Sequence, residues 1–170
     1  EENSADIYQA AKDSDYYIGA VHEDEPANGE ELVNILLNKG DRNIGLIGWE
    51  QGDATWLGRW EGYKAGVEKW NKENPNDKAT LSEPQYAGTT SEGGSKAAEA
   101  LMAADPNLDA LIPAGGGGDP LQGAIAAVER AGKTDSIDIV STDFLPDLGE
   151  RLENGSMAGL YWGNRKKYRK

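Results

Sequence analysis

Short apolar runs alternate with longer amphipathic stretches through most of this chain, and few folds accept that rhythm. A run without polar alternation must be covered on both faces, and the amphipathic segments between runs supply the cover. The outcome is a series of βαβ units around a parallel sheet. The runs fall near 16–21 (YYIGAV), 44–49 (IGLIGW), 109–113 (DALIP), 137–141 (IDIVS) and 157–162 (MAGLYW). A further strand is expected at 80–86 (TLSEPQY), where Pro84, with no N–H for a ladder, points to a sheet edge. The expected class is α/β: three layers, helices on both faces of a mostly parallel sheet, flavodoxin-like in outline.

The helices announce themselves by their ends. Asn28 with Glu31 three residues on has capping-box spacing ahead of LVNILL, and Gly40 stops that helix. Helices are also expected over 55–72 and 90–104, from Asp119 (N-cap) and Pro120 (N1) to Gly132, and from Pro146 to about Gly155. The last seven residues, NRKKYRK, stand apart as a basic tail. Residues 1–15 carry no apolar leader and read as mature or excised protein.

Composition removes several classes of function. With 30 acidic and 17 basic residues the net charge is −13, which opposes nucleic acid and anionic membrane surfaces. There is no cysteine and a single histidine, His22, so thiolate chemistry, Cys-bound zinc, multi-His metal sites and a Ser-His-Asp relay are not expected. Paired carboxylates are plentiful, but no spacing among them demands acid–base catalysis, and Glu23–Glu25 reads as a solvated run able at most to hold a cation loosely. No cofactor is expected. Five Trp and seven Tyr against one Phe favour wet, half-buried surfaces: carbohydrate clefts, or simply amphipathic core edges.

Three places carry candidate site chemistry. The first is the glycine run at 114–120 (AGGGGDP) between a strand and a helix; it matches no phosphate-binding motif, and it leaves room for a ligand. The second is the helix bearing Trp56, Trp60, Tyr63, Val67 and Trp70 on one face, a spacing that is usually core. Trp56 lies in its first turn, where a ring can either stack on a sugar or pack inward. Arg59, one turn on, offers a planar fork of donors to vicinal hydroxyls or pairs with a carboxylate such as Asp53. The third is Asp143, which can accept two hydroxyls or cap the next helix.

The order of these signals resembles the C-terminal half of type I periplasmic binding proteins, the ribose- and galactose-binding type related to lactose-repressor-type sensor domains. YYIGAVHEDEPANGEELVNILLNKG is similar to the family's strand, acidic turn and helix after the first hinge crossing. GDRNIGLIGWEQGDATWLGRWEGYKAGVEKW resembles the segment whose R-x-x-G-F/Y helix carries a sugar-binding Arg. ADPNLDALIPAGGGGDPLQGAIAAVERAG and IDIVSTDFLPDLGERLENGSMAGLYWG resemble the two segments that follow, over about residues 16–163.

The resemblance implies a three-layer lobe with Arg59, Gly117, Asp143 and Trp162 at ligand positions, beside Trp56. Gly117 stands where the family usually has Asn, and Trp162 where it often has Gln, which shifts the cleft from amide hydrogen bonds towards stacking and a larger or oligomeric glycan, or a less polar ligand. It further implies residues 1–15 near a hinge, a ligand-binding lobe over 16–163, and an N-terminal lobe absent from this chain. The implied activity is non-enzymatic: an extracytoplasmic solute-binding protein, periplasmic or a surface lipoprotein, that takes a sugar or oligosaccharide to the membrane subunits of an ABC transporter. Alternatives are the sensor domain of a sugar-responsive receptor or repressor, and a flavodoxin-like enzyme holding phosphate or flavin in the glycine run.

Overall fold

The computed structural model describes residues 13, 15, 16, 23–115, 119–142 and 146–161. Its elements are α1 (Glu25–Lys39), β1 (Asn43–Gly48), α2 (Ala54–Glu73), β2 (Thr80–Leu81), β3 (Gln85–Tyr86), α3 (Ser91–Ala104), β4 (Ala110–Pro113), α4 (Asp119–Arg130), β5 (Asp138–Thr142), α5 (Pro146–Asn154) and β6 (Gly159–Tyr161). The strands lie in the order β2-β1-β4-β5-β6, with β3 also on β1, and every pairing is parallel. Of the expected strand at 16–21, residues 17–21 lie outside the described residues, and Tyr16 is an exposed turn residue. The basic tail also lies outside them.

Strand side chains divide between two cores. Ile44 and Leu46 of β1, Ala110 and Ile112 of β4 and Val140 of β5 pack under α1 and α2 with Leu32, Val33, Leu36, Leu37, Trp56 and Tyr63. Ile47, Leu111 and Ile139 point the other way, into Ala97, Leu101, Leu121, Ile125 and Leu148 of α3, α4 and α5. Alternate residues serving opposite faces, both apolar, are what an unalternated strand sequence implies. The three-layer reading holds.

The edge is more broken than expected. Thr80 and Leu81 pair with Asn43 and Ile44, and Gln85 and Tyr86 with Ile47 and Gly48. Between the two pieces the Leu46 amide donates to the Ser82 hydroxyl at 2.9 Å, so a side chain fills the ladder position next to Pro84.

The start of α1 corrects the sequence reading. Asp24, not Asn28, is the N-cap; its carboxylate accepts the Ala27 amide at 3.1 Å. Pro26 is tolerated at this point because the first-turn amides have no intrahelical partner. Asn28 lies inside the helix, buried, and its side-chain amide donates to Glu23 and Glu25. Asp53 and Thr90 cap α2 and α3 in the same manner as Asp24 caps α1.

Each helix pair crosses at glycine. A Cβ on Gly62 would sit 2.0 Å from the Pro26 carbonyl oxygen, and one on Gly29 would sit 2.2 Å from that of Arg59, so α1 and α2 touch backbone to backbone. Gly94 and Gly123 do the same between α3 and α4, at 2.1 Å from Pro120 O and 1.9 Å from Ser91 O.

Candidate functional site

In a parallel sheet all the carboxyl ends of strands face one way, and ligands of open α/β sheets gather there, where successive crossovers diverge. Here β1 leads through α2 to β2 on one side, and β4 leads through α4 to β5 on the other. The divergence lies between β1 and β4. Trp49 follows β1 at that point, half-buried, and Gly115 follows β4. Gly115 has φ +88, and a Cβ on it would lie 2.7 Å from the Trp49 Nε1. Only glycine satisfies both the left-handed backbone and the indole pressed against it. The Ser141 hydroxyl holds the same turn by donating to the Gly115 carbonyl at 2.8 Å.

Arg59 reaches this crevice from the second turn of α2 and is 5% exposed. Its Nε donates to Glu25 Oε2 at 2.6 Å and its Nη1 donates to Thr142 Oγ1 at 2.9 Å, at the carboxyl end of β5. Its guanidinium carbon stands 5.5 Å from the centre of the Trp49 ring, within cation–π range. Nη2 has no partner among the described residues. A planar fork fixed on two of its three nitrogens, with the third uncommitted, is a preorganised donor for hydroxyl or carbonyl oxygens. Tyr63, one turn further along α2, stays a neutral phenol: burial pushes its pKa up, and Arg59 opposes this only in part.

Of the five residues expected at the site, the structure places Arg59 in the crevice. It does not pair with Asp53, whose carboxylate caps α2 by accepting the Trp56 amide at 2.7 Å. Trp56 is 0% exposed, its ring over Gly48 and tilted 57° against Tyr63 at 5.8 Å. It offers no face to a ligand, and of its two readings the burial supports packing. Gly117, Asp143 and Trp162 lie outside the described residues.

Four residues carry no site reading in the sequence, Glu25 among them, which reads there as part of a solvated run and pairs instead with Arg59. Glu25 and Thr142 come from segments 34 and 83 positions away from Arg59. Trp49 ended an apolar run and read as strand. Tyr86 is 40% exposed at the carboxyl end of β3, packed over Gly48. For Trp49 and Tyr86 a signal existed: an aromatic closing a strand stands where this sheet class binds ligands.

The opposite edge carries a different constellation. Asp41, Asp109 and Asp138 stand at the amino ends of β1, β4 and β5. Asp109 accepts the backbone amides of Arg42 and Asn43, and Asp138 accepts Lys39 Nζ. Asp41 is 9% exposed, and its Oδ2 atom has no hydrogen-bond partner among the described residues. Burial, then the Asp138 and Asp109 carboxylates, push its pKa up to about 7. Among the described residues no group of His, Cys, Asp and Glu is placed to hold a metal, the Glu23–Glu25 run included, and no helix is long and apolar enough to cross a membrane.

The fold and crevice together define a class: an open, doubly wound αβα lobe with a crevice at the carboxyl ends of β1, β4 and β5. Residues 3–168 match the periplasmic binding protein domain, and the chain belongs to that family. A glucose-galactose binding protein from Geobacillus stearothermophilus superposes with a TM-score of 0.75 at 17% identity, over 87% of this chain and 51% of that one. An ABC transporter periplasmic solute binding protein from Actinobacillus succinogenes, with bound D-allose, gives 0.75 at 18%, over 91% and 51%. An ABC transporter solute binding protein from Agrobacterium vitis, with bound D-fucose, gives 0.73 at 21%, over 88% and 50%. These likenesses establish the type I periplasmic-binding fold, of which the chain spans about half the length. No curated protein sequence matches the chain.

Proposed function

We propose that the chain is the C-terminal, ligand-binding lobe of an extracytoplasmic solute-binding protein for a sugar or oligosaccharide. The observation that carries this reading is Arg59, held by Glu25 and Thr142 beside the Trp49 ring, with one nitrogen uncommitted among the described residues, at the crossover point of the sheet. A sugar presents hydroxyls along one edge and C–H groups on its face, and a guanidinium fork beside an indole complements both. Asp143 follows Thr142 in the chain, and it is proposed with Gly117 and Trp162 as further lining. In the whole protein, an N-terminal lobe closes over this edge, and closure is read by ABC transporter subunits. The family is one of binding proteins, and no catalytic step is proposed.

A single lobe buries one side of its ligand, so its own affinity is low. Adding D-glucose, D-galactose, D-allose or D-fucose to the 170-residue chain is expected to shift the Trp49 indole N–H resonance in fast exchange. Arg59→Lys, which keeps the charge but not the fork, is expected to abolish the shift. Micromolar affinity of the chain alone would overturn the half-site account. Absence of any shift with the whole sugar panel would overturn the sugar reading.

A further inference from the structure

An arginine near the N-termini of two helices is ordinarily an anion site, since guanidinium and helix dipoles add. Here every one of those positive poles is already answered by a carboxylate of this chain. Asp24 caps α1 and Asp53 caps α2. Glu25 takes the Arg59 Nε at 2.6 Å, with side chains 6% and 20% exposed for Arg and Glu. Asn28, buried one turn along α1, donates to Glu25 Oε2 at 3.3 Å and to Glu23 at 3.1 Å, which fixes Glu25 from behind. Thr142, the other partner of Arg59, is neutral.

We infer that Glu25 is a specificity-determining residue, which makes the Arg59 crevice select neutral polyhydroxyl ligands and reject acidic sugars such as uronates. The inference rests on the sugar reading above. Arg59 retains its geometry as a hydrogen-bond donor and loses its pull on negative charge. A ligand carboxylate brought to Nη2 meets Glu25 already bound at the neighbouring Nε of the same guanidinium, and attraction and repulsion nearly cancel while the carboxylate gives up its hydration. A hydroxyl gives up far less. Discrimination then comes from a repulsive element, as specificity often does.

The test uses the 170-residue chain, Glu25→Gln and Glu25→Asp, each titrated with D-galactose, D-glucose and the corresponding uronates at matched ionic strength. Binding is followed by the Trp49 indole N–H resonance. The wild type is expected to bind the neutral sugar roughly tenfold or more tightly than its uronate. Glu25→Gln, which still accepts from Arg59 Nε, is expected to lower that ratio about tenfold, and Glu25→Asp to keep most of it. Equal binding of both sugars by the wild type, or an unchanged ratio in Glu25→Gln, would overturn the inference while leaving the sugar reading intact. Silence from all four ligands with all three proteins would overturn the sugar reading and this inference with it. Should Glu25→Gln fail to fold, the wild-type ratio alone decides.

Discussion

Replacing Gly62 by alanine tests whether the α1–α2 crossing is as tight as the structure has it. In an open helix position the change is favourable, by about 1 kcal/mol of backbone entropy. At Gly62 the new Cβ would lie 2.0 Å from the Pro26 carbonyl oxygen and 2.9 Å from the Glu30 amide nitrogen. Both obstacles are backbone, so no rotamer change relieves them, and the helices must part by roughly 1 Å along a close-packed interface. Overpacking of this kind costs about 1–3 kcal/mol and occasionally more. With backbone partners the upper part of that range applies, and after the propensity gain a net loss of about 2 kcal/mol remains. For a domain of this size that lowers the melting temperature by about 4–8 °C. Gly66→Ala is the control. Its Cβ would meet Val33 Cγ1 at 3.3 Å, a side-chain methyl that can give, so its melting temperature should match or exceed the wild type. Thermal unfolding followed by circular dichroism reads both. A Gly62→Ala protein that melts at or above the wild type would refute the backbone-contact account.

Three further outcomes follow from other parts of the molecule. Asp41 binds its proton more tightly folded (about 7) than unfolded (3.8), so its stability term is complete below the unfolded value and is lost as pH rises towards 7. Asp41→Asn should therefore flatten the loss of stability between about pH 4 and 7 and gain on the order of a few kcal/mol above pH 7, read by urea unfolding; an equal pH slope in both proteins refutes it. Asp24→Ala should cost about 1 kcal/mol as a lost N-cap in chemical denaturation, and an unchanged midpoint would return the helix start to Asn28. Trp56→Ala should cost about 3–5 kcal/mol as a core cavity, whereas Trp49→Ala should cost less stability and remove sugar-induced shifts in the backbone amides around Gly115; the reverse order would exchange the roles assigned to the two rings.

The sheet and its helices were legible because their signals are local. Apolar runs such as IGLIGW and the 3.6-residue stripe from Trp56 to Trp70 depend only on neighbours along the chain. Of the expected site residues that the structure describes, Arg59, marked by its helix motif, stands in the crevice. The partner of Arg59 could not be read, since Glu25 is brought to it by a crossing of two helices and leaves no periodic trace. Asn28 misled for a physical reason. Its spacing to Glu31 fits a capping box, but Asp24 satisfies the first-turn amides four residues earlier, and Pro26 sits comfortably in that first turn. Trp56 and Trp49 lie on either side of the same strand–helix turn. Which ring faces inward depends on Gly48 leaving space beneath Trp56 and Gly115 leaving space beside Trp49.

The glycines at the α1–α2 crossing are what makes the crevice possible. A Cβ on Gly58 would lie 2.9 Å from the Cβ of Glu25, while Gly62 faces the Pro26 carbonyl and Gly29 faces the Arg59 carbonyl. These contacts bracket the ion pair on both helices. A side chain at any of them would lift the first turn of α1 from α2, and a displacement of about 1 Å is enough to lengthen a charge-assisted hydrogen bond beyond its useful range. Glu25 would then leave Arg59 with its positive charge unanswered in a mostly buried crevice. Close helix packing and an internally neutralised arginine thus both follow from missing Cβ atoms on the facing sides of the two helices, and the proposed preference for a neutral ligand rests on them. On this argument Gly62→Ala should lose more than stability: the residual folded protein should also lose part of its discrimination against uronates. Stability loss with discrimination intact would separate the packing of α1 from the electrostatics of Arg59.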